Sequence, residues 1–288
     1  MSNNLLGYND DVKPIVKRLG GKTTLLKYLV PLLPYDISER VYCEPFLGGG
    51  AMLFCLQPNK AIVNDIDSEL INVYETVRDN VDELIFELKG YKNTLDFFLA
   101  IRNLDRDKEA FNKLTKTQRA TRYLFLNRTC FNGLSRYNLH GEFNAHFGHN
   151  YNLDFVCEPR LRLMNGYLNS ANITILNHHY ADLLTSLTES SFIYFDPPYY
   201  PVSGTSNFTR YTSRPFTQDD QIDLYNYCLE LDKRGVKFML SNSNSDFIVD
   251  LYSKSSNFNI TYIETKRLLN CDAMKRGRKI KEIVVRNY

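Results

Sequence analysis

Phe192-Ile193-Tyr194-Phe195-Asp196-Pro197-Pro198-Tyr199 is an apolar, aromatic run that delivers an acid, two prolines and a tyrosine to its own end. Such a composition reads as a buried strand, ended by prolines that have no N–H to give to a ladder. The same segment carries usable chemistry. Asp196 can accept a hydrogen bond from an exocyclic amine, the rigid Pro-Pro turn offers carbonyls to accept a second, and Tyr199 offers a flat face for stacking. Together they suit a planar base bearing an NH2 group. The plainer alternative is a Pro-Pro turn after a core strand.

Upstream, Tyr42-Cys43-Glu44-Pro45-Phe46-Leu47-Gly48-Gly49-Gly50-Ala51 is again a strand entering a glycine-rich turn, followed by the helix-like Ala51-Met52-Leu53-Phe54. Glycines allow a ligand to approach the backbone, and open α/β sheets bind ligands outside the carboxyl ends of their strands. The turn does not spell G-x-G-x-x-G, which weakens a dinucleotide reading. Ala61-Ile62-Val63-Asn64-Asp65-Ile66-Asp67 is a third strand ending in an acid, suited to ribose hydroxyls. Each motif taken singly also reads as a tight βα turn or a helix cap; their shared strand-end position is what joins them.

Seven strand-like runs follow from apolar and β-branched content: Val41–Phe46, Ala61–Ile66, Ile173–His178, Phe192–Asp196, Val236–Asn242, Ile260–Thr265 and Ile280–Asn287. Helical patterns at Gly21–Leu33, Ala51–Leu56, Ser68–Asp79, Ala181–Leu187 and Thr217–Lys233 lie between most of them, with Thr217 as an expected N-cap. The alternation predicts a doubly wound, mostly parallel α/β sheet. No useful helix separates the last two strands, so an antiparallel hairpin is expected there. About a hundred residues separate the second and third strands, too many for a crossover. The sequence therefore predicts a mostly helical insertion over 81–168, set in a catalytic domain of residues 1–80 and 169–288. Its aromatic, basic, Asn-rich second half suggests target recognition, against the plainer reading of a cap on the sheet.

Composition is ordinary for a folded chain, with 43% apolar and 24% charged residues. The net charge of +2 means that a nucleic-acid partner requires clustered basic groups, and these occur at Lys17-Arg18, Lys266-Arg267 and Lys275-Arg276-Gly277-Arg278-Lys279. The six cysteines form no C-x-x-C pair and no zinc spacing. Neither a signal peptide nor an apolar run of membrane length is present, so an intracellular, cytoplasmic location off the membrane is expected.

The chain resembles the Dam-type DNA adenine-N6 methyltransferases of the D12 class. The resemblance rests on Lys17-Arg18-Leu19-Gly20-Gly21-Lys22, Glu44–Gly50, Asn64-Asp65-Ile66, Phe131-Asn132-Gly133-Leu134-Ser135-Arg136-Tyr137-Asn138, Gly141-Glu142-Phe143-Asn144, Asp196–Tyr199 and Leu240-Ser241-Asn242. It implies a seven-stranded Rossmann-like methyltransferase sheet, S-adenosylmethionine as methyl donor, no metal, and double-stranded DNA as partner. The F-N-G-L-x-R block points to the GATC-methylating branch. A companion restriction endonuclease stays open, and a monomer or weak dimer is expected.

On the target side, Asp196, Pro197 and Tyr199 would hold an adenine flipped from the duplex. For the donor, Asp65 would take the ribose, Phe46 with Gly48 and Gly49 the methionine side, and Asp182 the adenine amine. The resemblance adds Gly20, Gly21, Lys22, Glu44 and Asp196 to that set. It also adds Arg18, which stands where the family usually has a tryptophan. For DNA it implies Lys17, Leu134 and Arg136 as base readers and Phe131-Asn132 at the stack, while Arg276 and Arg278 would meet phosphates. The branch usually carries Pro and Arg where His146 and His149 stand. Competing readings are an RNA adenine methyltransferase, a NAD-dependent oxidoreductase, which the missing G-x-G-x-x-G opposes, and an inactive DNA-binding module.

Overall fold

The computed structural model describes residues 12–18, 21–133, 135–202, 216–266 and 279–288. Seven strands form one sheet: β1 (Val41–Glu44), β2 (Lys60–Asn64), β3 (Asn172–Leu176), β4 (Ser191–Phe195), β5 (Lys237–Ser243), β6 (Asn259–Lys266) and β7 (Lys279–Arg286). Their spatial order is β3-β2-β1-β4-β5-β7-β6. The pairs from β3 to β5 are parallel, and β7 runs antiparallel to both β5 and β6. The order of strand addition switches sides between β1 and β4, which opens a crevice at the carboxyl ends of the parallel strands.

Strand periodicity builds two cores, one on each face. Tyr42 pairs with Phe192 and Tyr194 with Met239, and with Val284 these side chains face one cluster. Their neighbours Cys43, Ile193, Phe195, Phe238, Leu240, Ile283 and Val285 face the other. The first cluster packs against α1 (Leu26–Leu29), α2 (Ala51–Leu56) and α3 (Ser68–Asp79). It continues without a break through α4 (Val81–Gly90), α5 (Leu95–Asn103), α7 (Lys116–Thr129) and α8 (Glu158–Ser170), with the short α6 (Lys108–Asn112) beside them. The second cluster packs against α9 (Gln218–Lys233), α10 (Asp246–Tyr252) and a 3-10 helix at Tyr180–Ser186. Thr217 caps α9 as expected, and forms a full capping box with Asp220.

Two expected helices differ. The run from Gly21 to Leu33 divides into a 3-10 turn at Lys22–Thr24, the single turn α1, and a 3-10 turn at Val30–Leu32. Thr23-Thr24 are β-branched and Pro31 has no N–H, so a continuous helix is disfavoured. The run from Ala181 to Leu187 is a 3-10 rather than an α-helix, over Tyr180–Ser186, with Leu187 extended at its end.

After α7, the segment from Cys130 to Cys157 is built from turns. Isolated bridges join Cys130 to Phe147 and Tyr137 to Phe143. Asn138 shapes the tip by accepting from the backbone N–H groups of His140 and Glu142 through one oxygen. Asp105, 4% exposed, holds the base of this hairpin, pairing with Arg106 at 2.7 Å and Arg122 at 2.8 Å and accepting from Phe143 N at 2.7 Å.

Candidate active site

The turn after β4 is held from behind. Gln221, fully buried on α9, donates its amide to the Pro198 carbonyl at 2.9 Å. Asn242, buried at the end of β5, donates to the Gln221 side chain at 3.0 Å and accepts from Tyr200 N at 3.2 Å. The Pro198 carbonyl is thereby occupied, whereas among the described residues none donates to the Pro197 carbonyl.

Asp196 projects from the same turn with its side chain 24% exposed. The ammonium of Lys22, 5% exposed, lies 2.8 Å from Asp196 Oδ1 and 4.3 Å above the Tyr199 ring. The Tyr199 hydroxyl donates to Glu282 Oε2 at 2.7 Å. Burial raises the Asp196 carboxyl above its ordinary range, Lys22 opposes that, and Glu282 adds to it. Lys22 therefore favours the ionised, accepting form of Asp196. It follows a turn closed by Gly21 N donating to the Arg18 carbonyl.

The turn after β1 is the second half of the site. Gly50 has φ +67, and a Cβ there would lie 3.0 Å from both Phe54 Cε2 and Tyr74 Oη. Gly49 is closed in by the Val16 carbonyl, whereas Gly48 opens outward, with Arg18 Cγ its nearest neighbour at 4.0 Å. Asp65, after β2, spans this turn, accepting from Gly48 N at 2.9 Å and from Asp67 N at 3.0 Å. Burial raises its pKa, and Arg18 opposes that shift. Asn64, 1% exposed, ties three strand ends together through hydrogen bonds to the Pro45 and His178 carbonyls and from His178 N. Phe46 contacts Tyr180 at 5.2 Å and Phe216 at 5.8 Å, forming an aromatic wall. Asp182 is exposed in the first turn of the 3-10 helix, whose cap is His179.

Glu44 sits beneath the turn, 2% exposed, where its Oε2 accepts from the Tyr42 hydroxyl at 2.7 Å and from Leu53 N at 3.2 Å. Burial, reinforced by the nearby Asp196 and Asp65 carboxylates, pushes its pKa up to about 8 from an ordinary 4.5. Its folded-state pKa is raised, so its contribution to stability is complete below the ordinary value and declines as pH rises toward 8. The expected slope is up to about 1.4 kcal/mol per pH unit. Asp65 and Asp196 slope the same way. Glu44→Gln should flatten this decline in denaturation curves taken between pH 5 and 8; an unchanged slope would show that Glu44 is charged in the folded chain.

Arg18 does not lie open. Its guanidinium pairs with Asp67 at 2.5 Å, and Asp67 also caps α3 through Leu70 N. Lys17 is tied through its backbone to the Asn127 amide, with both hydrogen bonds at 2.8 Å. Its side chain enters an open cleft of about 240 Å³ with Arg128, Phe131, Asn132 and Gly133 on its walls. Burial and Arg128 both lower the Lys17 pKa. Gly133 has φ +67, and a Cβ there would come within 2.6 Å of Lys17 Cδ. Phe131 is 52% exposed and Asn132 has φ +55. Arg136 is exposed and bonds Asn144 through its side-chain oxygen at 2.9 Å and its carbonyl at 3.2 Å. Gly20, Leu134, Arg276 and Arg278 lie outside the described residues.

The bonds made here by Gln221, Asp67 and Glu282 leave no local signal in the sequence. Gln221 and Asp67 sit in helix-start patterns that hide a second role, and Glu282 looks like an ordinary polar position in a strand.

The sheet order, the glycine turn after β1 and the Asp-Pro-Pro-Tyr turn after β4 define a Rossmann-like methyltransferase. The family model described as D12 class N6 adenine-specific DNA methyltransferase matches residues 19–269, and the chain belongs to that family. It is 38% identical over 288 residues to the type II methyltransferase M1.LlaDCHI of Lactococcus lactis subsp. cremoris, covering 99% of both chains. It is 39% identical over 296 residues to the type II methyltransferase M.MjaIII of Methanocaldococcus jannaschii, covering 96% of this chain and 100% of that one. The DNA adenine methylase of Escherichia coli K12 is 31% identical over 248 residues, covering 84% and 85% of the two chains. Among the described residues no cluster of His, Cys, Asp and Glu is grouped for a metal, and no helix is long and apolar enough to cross a membrane.

Proposed function

We propose that the chain methylates N6 of an adenine flipped out of double-stranded DNA, within GATC, using S-adenosylmethionine. The observation that carries this is the Asp196–Tyr199 turn. It has an acceptor carboxylate, a Pro197 carbonyl to which no described residue donates, and an aromatic ring, all on one rigid support. An adenine N6 lone pair is delocalised into its ring and is a poor nucleophile. Asp196 and the Pro197 carbonyl accept the two amine hydrogens and draw the nitrogen toward tetrahedral geometry, which localises the lone pair. Orientation and fixed electrostatics then supply most of the rate. The donor brings an electrophilic sulfonium methyl. After transfer, the nitrogen sheds one proton, and Asp196 is the acceptor that the turn supplies.

The donor side fits the residues present. Gly48 opens where its neighbours are closed, Phe46 and Tyr180 provide an apolar wall, and Asp65 has lone pairs beyond the two backbone bonds it accepts. Asp65→Ala should weaken donor binding by roughly 1.5–3 kcal/mol and DNA binding much less. Calorimetry with the demethylated product reads this directly, and unchanged affinity would move the ribose contact elsewhere.

Residues 81–168 would recognise the target, with Phe131 wedging into the stack and Lys17, Leu134 and Arg136 reading base edges. The half-exposed Phe131, the basic cleft around Lys17 and the exposed Arg136 favour this. Arg276 and Arg278 would meet phosphates. Neutralising both should weaken binding to all sequences and flatten the salt slope by roughly two units. The relatives named as type II methyltransferases favour a partnership with a restriction endonuclease. Methylation of a random-sequence library tests the site: dominance of GATC is expected, and a different dominant motif would refute that assignment while leaving the adenine chemistry standing.

A further inference from the structure

A polar residue in the interior of β7 carries no part of the chemistry described so far. Glu282 pairs in register with Ser243 at the carboxyl end of β5 and with Ile263 of β6. Because β7 is antiparallel, its first half, not its last, reaches the catalytic edge of the parallel strands. Alternation sets position 282 on the face of Val284, where the buried residues Tyr194 and Met239 also lie. Its carboxylate lies close enough to Asp196 to add to the rise in the pKa of that group. Its hydrogen bond is to the hydroxyl of Tyr199, at 2.7 Å. The Tyr199 ring therefore has two tethers. Its hydroxyl is held by a side chain of β7, between β5 and β6, and its face lies 4.3 Å from the Lys22 ammonium, which is itself paired with Asp196 at 2.8 Å.

We propose that Glu282 is a positioning residue for the target base: by accepting the Tyr199 hydroxyl it fixes the ring on which the base stacks, at a set disposition to Asp196. This rests on the reading of Tyr199 as the stacking partner. Glu282 touches neither base nor donor. The carboxylate that accepts it stands on a strand paired on both sides, and small misplacement of a reacting group is costly in rate.

The test uses the full chain, a duplex carrying a methylatable adenine, and a second duplex with 2-aminopurine in its place, whose fluorescence rises on flipping. Tyr199→Phe and Glu282→Ala should each lower kcat about tenfold and reduce the fluorescence gain, with donor affinity unchanged. The double variant should be no worse than either single, because both remove one bond. Glu282→Gln, which keeps an acceptor oxygen, should remain within about threefold of wild type. Losses that multiply in the double variant, or a Glu282→Ala chain with wild-type kcat and fluorescence, would overturn the proposal. If Glu282→Ala fails to fold, the Tyr199→Phe and Glu282→Gln pair decides: losses in Glu282→Gln as large as those in Tyr199→Phe would assign the effect to charge and overturn it. A wild-type chain that methylates no adenine would refute the target-base reading as well, whereas an active wild type with indifferent variants refutes the positioning role alone.

Discussion

Asp196→Ala is expected to reduce methyl transfer by about 10³-fold or more while leaving donor affinity close to wild type. The carboxylate is the one charged acceptor on the Asp-Pro-Pro-Tyr turn, and Lys22 at 2.8 Å stabilises the ionised form that burial disfavours. Removing it takes an acceptor from the target amine and a partner from a nearly buried ammonium. Asp196→Asn separates the two effects: it keeps the volume but turns a donor toward the amine, so turnover should stay low while stability recovers. Single-turnover kinetics at saturating donor and DNA read the chemical step. Turnover within a few-fold of wild type in either variant would remove Asp196 from the mechanism.

The second large effect lies far from the chemistry. Asp105→Ala should destabilise the chain by about 3–5 kcal/mol, because it takes the counter-charge from the buried Arg122 guanidinium, leaving it only the Ile101 and Arg102 carbonyls, and frees the Phe143 backbone N–H. Arg122 is 6% exposed and pairs with Asp105 at 2.8 Å. The hairpin that presents Arg136 hangs from the same carboxylate through Phe143 N at 2.7 Å, so DNA affinity should fall as well. Urea denaturation should show a lower midpoint with an unchanged slope. A loss under about 1 kcal/mol would mean that the pair contributes little beyond its own desolvation.

The strands were legible because apolar and β-branched content is local information. Phe192–Phe195 and Phe238–Leu240 are continuous apolar runs, as strands buried on both faces must be, and the lack of a helix between β6 and β7 announced the antiparallel end. Thr217 was legible for the same reason, since a cap and its acids lie within one turn. The stretch from Gly21 to Leu33 misled because its leucine spacing is helical, while Pro31 and the threonine pair break the hydrogen-bond run. Long-range ion pairs were not legible. Lys22 stands in a glycine segment that resembles a donor site, yet its ammonium lies against Asp196 and Tyr199. Arg18 is likewise drawn to Asp67, a partner that only the fold brings close. Glu282 was invisible because its role depends on strand direction, which puts the start of β7 beside the end of β5.

Methyl transfer to adenine N6 is read by incubating the protein with unmethylated DNA and S-adenosylmethionine carrying an isotopically labelled methyl group, then digesting the DNA to nucleosides for mass spectrometry. Label is expected in N6-methyladenine and lost in the Asp196→Ala variant. Label in N4-methylcytosine, or an unlabelled digest from a preparation that binds the donor, would contradict it.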